Sequence, residues 1–462
     1  MNEHATRSVL MVNLPFSGHT NPTLGLARAL TDMGHRVTYV HSPTWRAAVE
    51  RTGAAFVPYD DYPSRPRPSL EQVRCWDAAY RTALRIGGDY DCLVYEMLFT
   101  SGKALADRLG IVPVRLFSTF ALNERVLEDF GRSGGWYLTS LFRLPRLRAL
   151  VSKRLSRRFG WRYDDLVDEI TRNGPDLNIT YTTRGFQVRA EDFPAPRFAF
   201  VGAAVGGRTP SGFDAPAGSG PLVYVSLGTR LNTSARFFRS CVEAFRGTGA
   251  RVIMSIGDSV RPGRLGPLPP TVAVHRSVPQ LEVLSRASLF ITHGGMNSVN
   301  EALYYGVPMV VVPMGNDQPT VARRVVELGL GEALDARSAT PAALRGAALR
   351  VMSDQGCRAR LDGFQKETRA AGGNAEASDG KACGQQARRQ VLGEVAGGEG
   401  CGVGAFDGRV EVGGDGDVLG RPGYGGDLVV GAGGQVVEPV PQGAEAGGDV
   451  FSGQGRKVRQ GA

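Results

Sequence analysis

The sequence predicts an α/β protein built from two doubly wound domains, and three observations predict it. Apolar runs of strand length alternate with helix-period patterns through about residue 204, a Gly-, Pro- and Ser-rich stretch interrupts that rhythm, and a second alternating series follows over 221–375. In the first domain, "SVLMVNL" at 8–14 is the opening strand. "PTLGLARALTDMG" then spaces Leu24, Ala27 and Leu30 along one helical face before Gly34 ends it, and "RVTYVH" at 36–41 is the second strand. Strand, helix, strand is a βαβ unit, whose functional loop lies at the carboxyl end of the first strand. Further strand-like runs at 91–95 and 111–117 flank the helical "TSGKALADRLG". Residues 205–220 read as a linker. The second domain repeats the rhythm with "LVYVSLG", "RVIMSIG", "TVAVHRSV", "LFITHGG" and "MVVVPMG". Two such domains predict a ligand cleft between them.

The chain of 462 residues carries a net charge of +9, six cysteines and no apolar run of membrane-spanning length. Cys75, Cys92, Cys241, Cys357, Cys383 and Cys401 form no C-x-x-C pair, so neither a zinc site nor a disulfide framework is indicated. The amino terminus "MNEHATRS" lacks the apolar core of a secretory signal, and a cytoplasmic protein is expected. The positive charge is densest in "RLPRLRALVSKRLSRRFGWR" at 143–162. Its leucines recur at helical spacing, which favours the solvated face of a surface helix over a lipid- or phosphate-binding patch. No nucleic-acid partner and no stable membrane association are expected; the sequence leaves the oligomeric state open. From Glu376 to Ala462 the sequence contains no Ile, Met, Thr, Asn or His and is rich in glycine. Such a segment buries too little apolar surface to offset its ordering entropy, so disorder is expected over 376–462. Its residue types are also those that a shifted frame yields in GC-rich coding DNA. A frame slip and a genuine flexible extension both fit.

Chemistry concentrates in two loops. "FSGHTNP" at 16–22 puts His19 where a G-x-G-x-x-G phosphate loop would otherwise stand. In "SVPQLEVLSRASLFITHGGMNSVNEALYYGVPMVVVPMGNDQP" at 277–319, a strand, a Gly-Gly turn and a helix follow in order. That order sets His293, Gly294, Gly295, Asn297 and Ser298 at a helix amino terminus, where free N–H groups and the dipole favour an anion. Glu301, one turn in, is placed to accept hydrogen bonds from a ribose. Asp317 and Gln318 follow the next strand at the same sheet edge.

This stretch resembles the donor-binding signature of the nucleotide-sugar glycosyltransferases of GT-B fold, the family of plant and bacterial UDP-sugar transferases that includes the macrolide glycosyltransferases. V-P-Q, T-H-G-G-x-N-S, E-A, G-V-P and D-Q stand in family order, preceded by G-H-x-N-P at 18–22 and "VSLGT" at 225–229; the resemblance covers residues 7–375. It implies that His19 is the general base and that Glu96, where the family more often has Asp, orients it. It implies a diphosphate bound by His293 and the amides of Gly295, Asn297 and Ser298 in a cationic and dipolar environment, with Ser226 and Thr229 assisting. Gln280 and the backbone of Val278 would face the nucleoside, and Asp317 with Gln318 would hold the hydroxyls of an unreduced hexose. The implied partners are a nucleotide sugar as co-substrate and a small-molecule acceptor, with no metal and no cofactor. "DYD" at 89–91 matches the D-x-D metal pattern of the other large glycosyltransferase fold but precedes its strand, and it is read as chance. The implied activity is inverting O-glycosyl transfer, most simply from UDP-glucose, to a small lipophilic acceptor bound around 60–80 and 120–160. Two alternatives stay open. Ser277 stands where many relatives have a base-stacking aromatic, which admits a dTDP-deoxysugar donor, and the abnormal carboxyl end admits a non-catalytic nucleotide-binding protein.

Overall fold

A computed structural model describes residues 6–63, 68–132, 145–205, 212–228 and 234–379. Strand β1 (Ser8–Val12) is buried along its whole length, as its unbroken apolar run requires of a strand covered on both faces. It pairs in parallel with β2 (Arg36–His41) on one side and β4 (Cys92–Glu96) on the other. With β3 (Ala55–Pro58), β5 (Val112–Phe117), β6 (Leu177–Thr180) and β7 (Phe198–Phe200) they form a seven-stranded sheet of order β3-β2-β1-β4-β5-β6-β7. The second half repeats the plan in six strands, ordered β10-β9-β8-β11-β12-β13. These are β8 (Leu222–Ser226), β9 (Arg251–Ser255), β10 (Val272–His275), β11 (Leu289–Thr292), β12 (Met309–Val311) and β13 (Gly331–Ala333). Both halves are therefore α/β doubly wound sheets. In each, the strand order reverses beside the first strand, between β1 and β4 and between β8 and β11. Ligands of such sheets bind outside the carboxyl ends of the strands at that switch point.

Four short strands, β3, β6, β7 and β13, escape the apolar-run criterion. β13 reads only "GEA", and its pairing depends on close approach: a Cβ on Gly331 would lie 2.0 Å from the Met309 carbonyl oxygen. Asp91 of the "DYD" stretch sits at the amino ends of the strands, where its Oδ2 accepts from the Ser8 amide at 2.6 Å. That is the sheet edge away from the switch point. The basic run forms the surface helix Pro145–Phe159, with Arg146, Lys153, Arg154 and Arg157 exposed and Ser152, Ser156 and Phe159 buried. Among the described residues no helix is long and apolar enough to cross a membrane.

The expectation of disorder from Glu376 needs correction at its start. The chain reverses at Gly372 and Gly373, with φ of 78° and 58°, and the Gly373 amide donates to the Val201 carbonyl at 2.6 Å. A helix then runs over Gly373–Asp379 and buries Ala377 among Leu26, Ala27, Tyr181 and Val201 of the first half. Gly25 makes room for it, since a Cβ there would lie 1.9 Å from Asn374 Nδ2. The apolar alanine and the two glycines, not the overall composition, decide these residues. The remainder of that expectation, residues 380–462, lies outside the described residues.

Candidate functional site

His19 lies in the first turn of the helix Ser17–Asp32, at the carboxyl end of β1, and Glu96 is the last residue of the neighbouring β4. The two meet at the switch point: His19 Nδ1 is 2.6 Å from Glu96 Oε1. The Glu96 side chain is fully buried, while that of His19 is 25% exposed. A third group joins them. Ser118, just past β5, lies 2.7 Å from His19 Nδ1 and donates from its Oγ to Glu96 Oε1 at 2.8 Å. The Leu98 amide donates to the other carboxylate oxygen at 2.9 Å. Glu96 accepts on both oxygens, so the hydrogen between it and His19 belongs to Nδ1. The lone pair is then on Nε2. Burial pulls the His19 pKa down, but the Glu96 carboxylate, with a smaller contribution from Asp317, outweighs it and raises the net value above 6.5.

Beneath His19 lies a buried polar layer. Asn13 Nδ2 donates to the His19 carbonyl at 3.1 Å and to Thr23 Oγ1 at 3.2 Å, and Thr20 Oγ1 contacts His41 Nε2 at 3.1 Å. Burial pushes His41 down to about 3, so this imidazole is neutral and structural.

The second cluster sits at the matching switch point of the other sheet. His293 follows β11, Ser226 ends β8, and the helix Met296–Tyr305 starts behind Gly295 with no side chain capping its amino terminus. Its first intrahelical bond runs from Val299 N to Gly295 O, which leaves the amides of residues 296–298 outside the helical ladder. Two glycines seat the His293 ring: a Cβ on Gly228 would lie 2.7 Å from Nε2, and one on Gly295 2.5 Å from it. Burial lowers His293 to about 4, and its buried Nδ1 has no hydrogen-bond partner. With no anion beside it, burial favours the neutral form of His293, against the opposing effect of the Ser226 backbone. Gly294 (φ 82°) makes the tight turn; a Cβ there would meet Val311 Cγ1 at 2.6 Å.

The remaining sequence-predicted residues separate into those that face the cleft and those tied into their own half. Gln280 donates to Glu301 Oε2 at 2.5 Å and to Ser298 Oγ at 3.2 Å, and accepts from Tyr224 at 3.0 Å. It thus orients two other site residues. Val278 is half-buried against the apolar core, and Ser277 is exposed. The Ser226 Oγ accepts from the Gly228 amide at 3.3 Å. Gln318 is buried, and its Oε1 receives the Met314 and Gly315 amides at 2.8 and 3.1 Å, which shapes the loop presenting Asp317. Thr229 lies outside the described residues.

Direct hydrogen bonds join the two clusters across the cleft. Asn297 Nδ2 donates to the Gly18 carbonyl at 2.6 Å, and Thr119 Oγ1 donates to Asp317 Oδ2 at 2.6 Å. Asp317 has its pKa raised by burial, against the opposing effects of Thr119 and His19. Sequence reasoning missed Ser118 and Thr119. Their signal was position: they directly follow the strand beside the one that carries Glu96.

Residues 241–378 match the family profile described as erythromycin biosynthesis protein CIII-like, C-terminal domain. The NDP-glycosyltransferase YjiC of Bacillus licheniformis is 34% identical over 81% of this chain and 96% of its own length. The demethyllactenocin mycarosyltransferase of Streptomyces fradiae is 33% identical over 79% of this chain and 84% of its own. The solved structure of the glycotransferase of kitacinnamycin superposes with a TM-score of 0.71 at 34% identity, covering 83% of this chain and 99% of that one.

Proposed function

The chain belongs to the NDP-sugar glycosyltransferases of GT-B fold, related to the macrolide glycosyltransferases, and from that premise we propose inverting transfer of a hexose from UDP-hexose to an acceptor hydroxyl. The observation that carries this reading is the pairing of His19 with Glu96 and Ser118 opposite the uncapped helix terminus at Gly295–Ser298. His19 Nε2 takes the proton from the acceptor hydroxyl as that oxygen attacks the anomeric carbon. The bond to the diphosphate breaks on the opposite face, so the configuration inverts. Glu96 stabilises the imidazolium that forms. The amides at the helix terminus, with His293 and Ser298, receive the charge that develops on the leaving diphosphate, so no metal is needed. Buried Glu301 serves the ribose, and Asp317 offers a hydrogen-bond acceptor to hydroxyls of the sugar.

UDP-glucose is the donor of first choice, and a macrolide, polyketide or phenol the acceptor. The exposed Ser277, in place of a stacking ring, favours a second reading in which the donor is a dTDP-deoxysugar. Mass spectrometry of phenolic and macrolide acceptors incubated with UDP-glucose, UDP-galactose and dTDP-sugars tests both. Hexosylated product from UDP-glucose supports the first reading, product from dTDP-sugars alone supports the second, and tight UDP binding without transfer to any acceptor refutes both.

A further inference from the structure

A proline inside a helix lacks the amide that would bond to the carbonyl four residues earlier, and its ring pushes that carbonyl outward. Pro22 lies inside the helix Ser17–Asp32, so the carbonyl it strands is that of Gly18. This carbonyl has another donor. Asn297 Nδ2, from the first turn of the helix Met296–Tyr305 in the other half, reaches it at 2.6 Å. The next residue in the chain is His19.

We propose that Pro22, Gly18 and Asn297 form a latch between the two halves: the proline frees the carbonyl, the asparagine captures it, and the turn bearing His19 is thereby registered against the donor-side helix terminus. Asn297 is in this account a positioning residue acting through the backbone that precedes the base. A side-chain bond from within the first half is consistent with that, since Asn13 Nδ2 fixes the His19 carbonyl from below at 3.1 Å while Asn297 fixes the Gly18 carbonyl from across the cleft. Asparagine suits the role because its amide donates, which an ionised aspartate cannot. The backbone amide of Asn297 belongs to the same terminus that is read above as the diphosphate site. The latch therefore makes the position of the base depend on the state of the donor loop. This inference rests on the reading of His19 as the base.

A double-mutant cycle tests it. Pro22→Ala restores a helical amide that competes for the Gly18 carbonyl, and Asn297→Ala removes the donor from the other half. Each single variant is expected to lower kcat at saturating substrates by about 3- to 10-fold, the worth of one neutral hydrogen bond. The double variant should be no slower than the slower single one, because both remove the same contact. Calorimetric affinity for UDP should be unchanged in Pro22→Ala. Asn297→Gln should recover part of the rate and Asn297→Asp none. Losses that multiply in the double variant, or a Pro22→Ala enzyme with unaltered kcat, overturn the latch. The same cycle on urea midpoints needs no turnover. Coupled midpoints in a protein that transfers no sugar would refute the proposed reaction and leave the latch standing. Additive midpoints together with multiplying rate losses would refute the latch and leave the reaction.

Discussion

Replacing Glu96 by Gln tests the active-site reading most sharply, because the change is nearly isosteric and removes one charge from a carboxylate 2.6 Å from His19 Nδ1. The carboxylate accepts on both sides: Oε1 from Nδ1 and Ser118 Oγ, and Oε2 from the Leu98 amide. A glutamine has one acceptor oxygen and one amide donor. If its oxygen stays with Leu98, its NH2 donates to Nδ1, the proton of the neutral imidazole moves to Nε2, and the base has the wrong tautomer. If it flips, two donors face each other at the buried Leu98 amide. Either arrangement takes away most of what general-base assistance supplies, and the plateau of transfer should fall by about 10²- to 10⁴-fold.

The pH profile moves as well, with a defined sign. His19 is a base only when neutral, and its pKa is held above 6.5 because Glu96 and Asp317 outweigh burial. The wild-type rate should therefore rise with pH through an apparent pKa above 6.5. In Glu96→Gln burial is opposed mainly by Asp317 alone, and the limb should move toward acid by about 1–3 pH units, the range for loss of an adjacent opposite charge. The assay is initial transfer rate at saturating donor and acceptor from pH 5 to 9, with UDP affinity measured by calorimetry at each end. A Glu96→Gln enzyme working within about threefold of wild type, with its acidic limb unmoved, would refute both the tautomer argument and the base assignment.

Three further outcomes are expected. His19→Ala should leave calorimetric UDP affinity nearly intact while transfer falls by about 10²-fold or more and at least as far as in Glu96→Gln, and near-normal turnover with an unactivated alcohol would contradict the base role. Gly295→Ala puts a Cβ 2.5 Å from His293 Nε2, so the ring must leave its seat against the diphosphate site. UDP affinity should then drop by about 10-fold or more, as for loss of a hydrogen bond to a charged group. An excess of EDTA should leave transfer unchanged, since amides, dipoles and the His293 imidazole receive the leaving charge. Loss of activity restored by Mg²⁺ would require a metal in the reaction.

Much of this architecture is legible in the sequence because parallel strands buried on both faces read as uninterrupted apolar runs. β1 and β8 announce themselves in this way, and the glycines and polar residues just after β1, β8 and β11 mark the sheet edge where the candidate site lies. Four short strands were not legible: β3, β7 and β13 lie at sheet edges, where three or four residues paired on one side need little apolar character, and β6 is a four-residue strand between β5 and β7; β13, "GEA", has almost none. The tail shows the converse error. Composition averaged over the glycine-rich end concealed Ala377, one small apolar residue that finds a buried place in the first half.

The candidate site divides along the same line. A motif records which residues stand near one another in the chain, and so His293, Asn297, Ser298 and Glu301 were recognisable together. It does not record partners brought in from another strand. Ser118 bonds to Glu96 from 22 positions away, and Thr119 reaches Asp317 across 198. Neither lies within a quoted motif, and each is placed by one fact of topology, that β5 runs beside β4 and ends at the same edge. Asn297 is the instructive intermediate. Its place in the motif points to the diphosphate, whereas its side chain bonds to Gly18, 279 positions earlier. Pro22 was visible from the start in "GHTNP", where it looked like part of a loop. It lies inside the helix that carries His19 and costs that helix a bond, and the carbonyl so released is the one that Asn297 of the other half takes up.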